Sequence, residues 1–159
     1  MSTPDPPDRV DHETFMRLAL AQARLALGQE EVPVGALVVR DGRVLSEAFN
    51  QPIATSDPTA HAEVVALRGA AAAVGNYRLP GATLYATLEP CLMCVGALVQ
   101  ARVATVVYGA RDPKGGAIHS VLDLSTLPMN HRFETVPGVL ASECGALLVD
   151  FFRFKRERG

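Results

Sequence analysis

Between Ala82 and Tyr108 the chain has room for a strand, a helix and a second strand, and for nothing else. Ala82 to Thr87 and Val103 to Tyr108 are β-prone, and the stretch from Pro90 to Ala101 between them reads as a helix. Strands separated by a helix return in the same direction, so these two are expected to be parallel neighbours joined by a crossover. The other patterns fit around them. Glu13 to Leu27 carries apolar residues as a helix with a wide buried face would, and Gly28 is its stop. Val34 to Val39 and Val44 to Phe49 form a hairpin about Asp41-Gly42. Thr59 to Val74 is an Ala-rich helix ending at Gly75-Asn76. Gly109 to Gly116 reads as a polar loop, Phe133 to Val136 as a short strand, and Val139 to Glu157 as a closing helix. The expected fold is a three-layer α/β/α sandwich, a mixed sheet of about five strands with helices on both faces.

With 159 residues, 48% of them hydrophobic and 20% charged, the chain fits one globular domain and not two large ones. The Pro-rich, acidic stretch 1–12 is expected to be a disordered tail ahead of a domain over 13–159. No apolar run approaches the roughly 18 residues of a membrane span, and the N-terminus lacks the apolar segment of a secretory signal. Three cysteines, two of them spaced Cys-x-x-Cys, suit a reducing cytoplasm better than a disulfide framework. Fifteen basic against seventeen acidic residues give a net charge of −2, which argues against a chain coated for nucleic acid. That total is an average: Arg153, Lys155, Arg156 and Arg158 face the single acid Glu157 at the C-terminal end.

Two short motifs carry chemistry. His61-Ala62-Glu63 and Pro90-Cys91-Leu92-Met93-Cys94 lie thirty residues apart, each opening an expected helix. Cysteines three apart at a helix start are separated by about 60° around the axis, so both sulfurs can face one ion. Pro90 is expected at the first helical position. One imidazole and two thiolates make three ligands; a structural zinc site adds a fourth, and a catalytic one leaves that position for water. Cys144, inside the closing helix, is either that fourth ligand or a plain buried thiol. Residues two apart in mid-helix point about 200° from each other, so His61 and Glu63 must sit at the very start of their helix to serve one site. There Glu63 can accept a proton from bound water and return it to a substrate.

With these motifs the sequence resembles the zinc-dependent cytidine deaminase superfamily, and within it the bacterial tRNA-specific adenosine deaminases, over most of its length from Phe15 to Lys155. The carriers are Val32-Pro-Val-Gly-Ala36, Asn50, Asp57-Pro-Thr-Ala-His-Ala-Glu63, Glu89-Pro-Cys-Leu-Met-Cys94, Gly109-Ala-Arg-Asp112 with Lys114, Met129-Asn-His131 and Asp150-Phe-Phe-Arg153. The resemblance implies one zinc ion per chain on His61, Cys91 and Cys94, and hydrolytic conversion of the wobble adenosine of a tRNA anticodon to inosine. Known chemistry of the superfamily supplies attack of zinc-bound hydroxide at C6 with Glu63 as the proton shuttle. It also implies that Asn50, otherwise a turn residue before Gln51-Pro52, and the backbone N–H of Ala62 hold the flipped base. Arg111, Asp112, Lys114, Phe151, Phe152, Arg153 and Lys155 would contact the anticodon stem-loop, with one of the adjacent phenylalanines turned into the core. A homodimer is implied too, with Val95 to Val99 as one surface for it. Two alternatives stay open: a free purine or pyrimidine base deaminase acting on guanine or cytosine, and a non-catalytic, zinc-stabilised RNA-binding module.

Overall fold

The structure is a computed structural model that describes residues 9–158. It contains α1 (Arg9–Gly28), β1 (Gly35–Arg40), β2 (Arg43–Phe49), α2 (Pro52–Thr55), α3 (Ala62–Val74), β3 (Thr83–Leu88), α4 (Leu92–Ala101), β4 (Thr105–Ala110), a 3₁₀ turn at Leu124–Thr126, β5 (Glu134–Val136) and α5 (Ala141–Arg158). Five strands form one sheet in the order β2-β1-β3-β4-β5. β1 is antiparallel to both β2 and β3, while β3–β4 and β4–β5 are parallel, so the expected crossover is present with α4 as its helix. The hairpin turns at Asp41 and Gly42 with φ of 53° and 74°, the left-handed pair that matches the twist of its strands.

Alternate strand residues feed two cores. Ala36, Val38, Leu84, Ala86, Val106 and Tyr108 pack with α3 and α4, and Leu37, Val39, Tyr85 and Val107 pack with α1 and α5. The sheet is thus covered on both faces by helices, as a three-layer sandwich requires. The Val-Pro-Val-Gly-Ala segment owes its glycine to a close approach: a Cβ on Gly35 would run into the backbone of α1 at Ala19 and Ala23. No helix among the described residues is long and apolar enough to cross a membrane.

Three expectations shift, and one element is new. Residues 1–8 of the tail lie outside the described residues, but residues 9–12 form the first turn of α1. Pro90 is not the first helical residue: Cys91 is extended at the N-cap, ψ 175°, and the helix starts at Leu92. Gly109 and Ala110 are strand, not loop, because Ala110 pairs with Leu88. The turn α2 has no counterpart in the sequence reading, being too short to show periodicity.

Candidate functional site

Two helix starts meet beyond the end of β3. His61 is the N-cap of α3 and Cys91 the N-cap of α4, both in extended conformation, and neither side chain caps its own helix. N-caps are ordinarily Ser, Thr, Asp or Asn that bond back to the first turn; here both positions are given to residues that turn towards each other. The approach to α3 is fixed by Asp57, whose Oδ1 accepts from the N–H and hydroxyl of Thr59 at 2.8 and 2.7 Å. Those two bonds hold the Asp57 carboxyl below its usual pKa.

The Nδ1 of His61 lies 3.6 Å from the Sγ of Cys91 and 3.6 Å from the Sγ of Cys94. A tetrahedral ion with metal–sulfur bonds near 2.3 Å and metal–nitrogen bonds near 2.05 Å needs those separations to be about 3.6 Å. The donor set therefore fits such an ion, and all three ligand atoms lie within 4.8 Å of one another. Cys94 donates to Cys91, and this pulls the Cys91 thiol down to about 4 against the effect of burial. The same shared proton, with burial and the Glu63 charge, pushes Cys94 up. His61 is raised, first by its bond to Cys91. A cation would replace these protons, since only thiolates and neutral imidazole are ligands.

Glu63 is the second residue of α3 and 4% exposed. Burial raises its carboxyl above the ordinary range, against hydrogen bonding from Cys94. A carboxyl poised nearer neutrality is what a proton carrier needs. Ala62, fully buried, opens the same turn, where the first N–H groups of a helix have no intrahelical partner. Asn50 follows β2 directly and is half-buried; its backbone N–H bonds to Val34, and that of Gln51 to Ala60, the residue before His61. Cys144 does not join the cluster. It is 1% exposed on the other side of the sheet, under α5 against Gly109, and is a buried thiol.

The proposed RNA-contacting residues divide. Arg111, Asp112 and Lys114 lie on the loop after β4, and with Phe152, Lys155 and Arg156 of α5 they line a cavity of about 760 Å³. Phe151 is 6% exposed and belongs to the core, because its side of α5 faces the sheet; it packs edge-on to Phe152, which is 45% exposed. Arg153 is exposed but does not line the cavity. The sequence reading missed Val149 and Arg156, although Gly145, Leu148, Val149, Phe152, Lys155 and Arg156 repeat at the three- and four-residue spacing of one helix face. Val95 and Val99, offered as a dimer surface, are core residues at 2% and 8% exposed; Leu92 and Met93 are the exposed apolar side chains of α4.

The loop that carries Arg111 to Lys114 is held by a residue whose role the sequence reading did not see. Glu89, 2% exposed, accepts from the N–H groups of Asp112 (3.1 Å), Ile118 (3.0 Å), His119 (2.8 Å) and Ser120 (3.0 Å) and from the Ser120 hydroxyl. Burial alone would raise its carboxyl, but these donors outweigh it and bring it down to about 2.

The profile of the MafB19-like deaminase family matches residues 10–156. This chain belongs to that deaminase family. It is 48% identical over 91% of its length to the tRNA-specific adenosine deaminase of Haemophilus influenzae, covering 85% of that protein. It is equally identical over 89% of its length to the enzyme of the same name from Agrobacterium fabrum, covering 94% of it. Among solved structures, one from a study of A-to-I editing by tRNA:A34 deaminases at the wobble position superimposes with a TM-score of 0.83 at 46% identity, covering 85% of this chain and 99% of that one. A guanine deaminase from Bacillus subtilis matches with a TM-score of 0.60 at 41% identity, over 63% of this chain and 64% of its own.

Proposed function

We propose that this protein converts adenosine to inosine at the wobble position of a tRNA anticodon, in the cytoplasm, with one zinc ion held by His61, Cys91 and Cys94. The observation that carries the reading is the equal 3.6 Å spacing of the His61 nitrogen from two sulfurs, with the buried carboxylate of Glu63 two residues along the chain from His61. The relatives that share this chain's length are named for that substrate. When bound, zinc supplies the Lewis acidity that makes water nucleophilic near neutral pH. The reaction forms a C–O bond at C6 of the base, breaks the C–N bond there and releases ammonia.

Glu63 is the proton carrier of the chain. Its carboxylate takes a proton from the attacking water and delivers protons to the ring nitrogen N1 and to the departing amine. The Asn50 carboxamide and the Ala62 N–H hold the base edge, so that the exocyclic amine is presented to the carboxylate and to no other acid. Burial of Glu63 keeps bulk water from competing for the proton. The cavity between Arg111, Lys114, Phe152, Lys155 and Arg156 holds the single-stranded neighbours of the reacting nucleotide, bases against the phenyl ring and phosphates against the cations. A homodimer through the exposed face of α4 completes the reading.

Incubation of the purified protein with an anticodon stem-loop and, separately, with free adenine, guanine and cytosine tests it. Inosine in the RNA, with binding that weakens steeply as salt rises, is the expected outcome. Turnover of a free base and none of RNA overturns it in favour of a base deaminase.

A further inference from the structure

Glu31 is 1% exposed and has no part in the chemistry described above. Its Oε1 accepts from the N–H of Ile53 at 3.1 Å and its Oε2 from the N–H of Ala54 at 2.8 Å. These are the second and third residues of α2. Pro52, the first, has no N–H; Thr55 bonds to Gln51 and Ser56 to Ile53. Gln51 at the N-cap provides no side-chain bond. One carboxylate, 22 and 23 residues upstream of them, therefore satisfies both backbone donors that this turn leaves over.

The turn it holds lies next to Asn50 in the chain. Asn50 and Gln51 lead directly into α2, and their N–H groups are tied to Val34 at the start of the sheet and to Ala60 beside His61. Asn50 is half-buried, and its backbone N–H ties it to the sheet through Val34. The backbone on either side carries it, and on the α2 side Glu31 holds the N–H groups of Ile53 and Ala54 while Ala60 and Thr55 bond to Gln51.

We propose that Glu31 is a positioning residue for base recognition, holding α2 so that Asn50 meets the substrate base at a fixed distance from His61 and Glu63. The inference rests on the role of Asn50 in the function proposed above. A glutamine at position 31 keeps the shape but turns an amide NH₂ towards one of the two N–H donors, so one bond is lost and two donors face each other.

The test is a double-mutant cycle on Glu31→Gln and Asn50→Ala, with rates expressed per bound metal and an anticodon stem-loop as substrate. Glu31→Gln is expected to raise KM about tenfold, to lower discrimination between adenosine and cytidine at the reacting position, and to leave metal content unchanged. In the Asn50→Ala background it is expected to have little further effect. Hydrogen exchange at Ile53 and Ala54 should accelerate in Glu31→Gln while exchange in β3 and β4 does not.

A structural role alone would lower the active fraction and leave KM and selectivity in place. That result, or effects of the two substitutions that simply add, overturns the proposal. If Glu31→Gln does not fold, Glu31→Asp keeps the charge, shortens the reach and is expected to give the same coupling. A wild-type protein that makes no inosine refutes the function itself, whereas an active wild type, an impaired Asn50→Ala and an unaffected Glu31→Gln refute only this inference.

Discussion

Glu63, at the start of α3, and Glu89, at the end of β3, are both sealed from solvent, at 4% and 2% exposed, and their carboxyls are displaced in opposite directions. The difference lies in the donors. Around Glu89 the backbone from Asp112 to Ser120 folds so that four N–H groups and a hydroxyl point at one carboxylate, which fixes the negative charge in place. Around Glu63 burial prevails and raises the carboxyl, the direction that suits the proton carrier proposed above. Burial by itself therefore does not fix the direction in which a carboxyl shifts; the donors aimed at it do.

The sharpest way to break this contrast is to remove the charge from each. Glu63→Gln is expected to lower inosine formation by about a thousandfold or more, with metal content and the unfolding midpoint preserved, since proton transfer by one positioned group is worth roughly 10² to 10⁴. Initial rates, metal analysis and urea melts check it, and retained turnover would remove Glu63 from the mechanism. Cys91→Ala is expected to lose both metal and turnover, and the wild type treated with a chelator should lose turnover while amide protection around Glu89 persists.

Glu89→Gln should behave in the reverse manner, with the loss falling on stability first. The gap between the ordinary carboxyl value of 4.5 and about 2 corresponds to about 3 kcal/mol. A carboxyl lowered on folding contributes fully above its unfolded value, so this stability is complete above about pH 4.5 and is lost as pH falls towards 2. Urea melts of the wild type across that window should show the decline, and Glu89→Gln should be weaker at neutral pH and flatter in acid. Identical acid profiles for the two proteins would mean that Glu89 does not carry the charge assigned to it.

The smallest expected effect lies in the cavity that the Glu89 loop helps to build. Phe152→Ala should cost about 1–3 kcal/mol of RNA affinity through lost stacking. Lys155→Ala should weaken binding and reduce the salt slope by about 0.7. Neither should change turnover at saturating RNA.

The sheet and the donor cluster were legible in the sequence because their signals are local: a strand, helix and strand without slack, and at helix starts two cysteines three residues apart and a histidine two residues before a glutamate. The glutamate anchors were not. Glu31 and Glu89 act on backbone N–H groups 22 to 31 residues further along the chain, and nearly any residue offers such a group, so no side-chain pattern announces them. The pair Phe151-Phe152 showed that one ring must turn inward, yet which one depends on the side of α5 that meets the sheet, a tertiary fact. Pro90 was misplaced because the extended backbone of Cys91, which aims its sulfur at His61, displaces the helix start by two residues.

Cys144 gives the molecule an internal gauge. Its thiol lies on the face of the sheet opposite Cys91 and Cys94, and burial pushes it up to about 12, so it is inert while α5 stays seated. With zinc bound as proposed, the three thiols of the chain would be guarded by two independent locks, the cation for the pair and packed helix for the third. A thiol reagent reacting with two sites reports a lost ion, and one reacting with the third reports a lifted helix. Damage to the chemistry and damage to the architecture can be read apart in a single titration, with no label added.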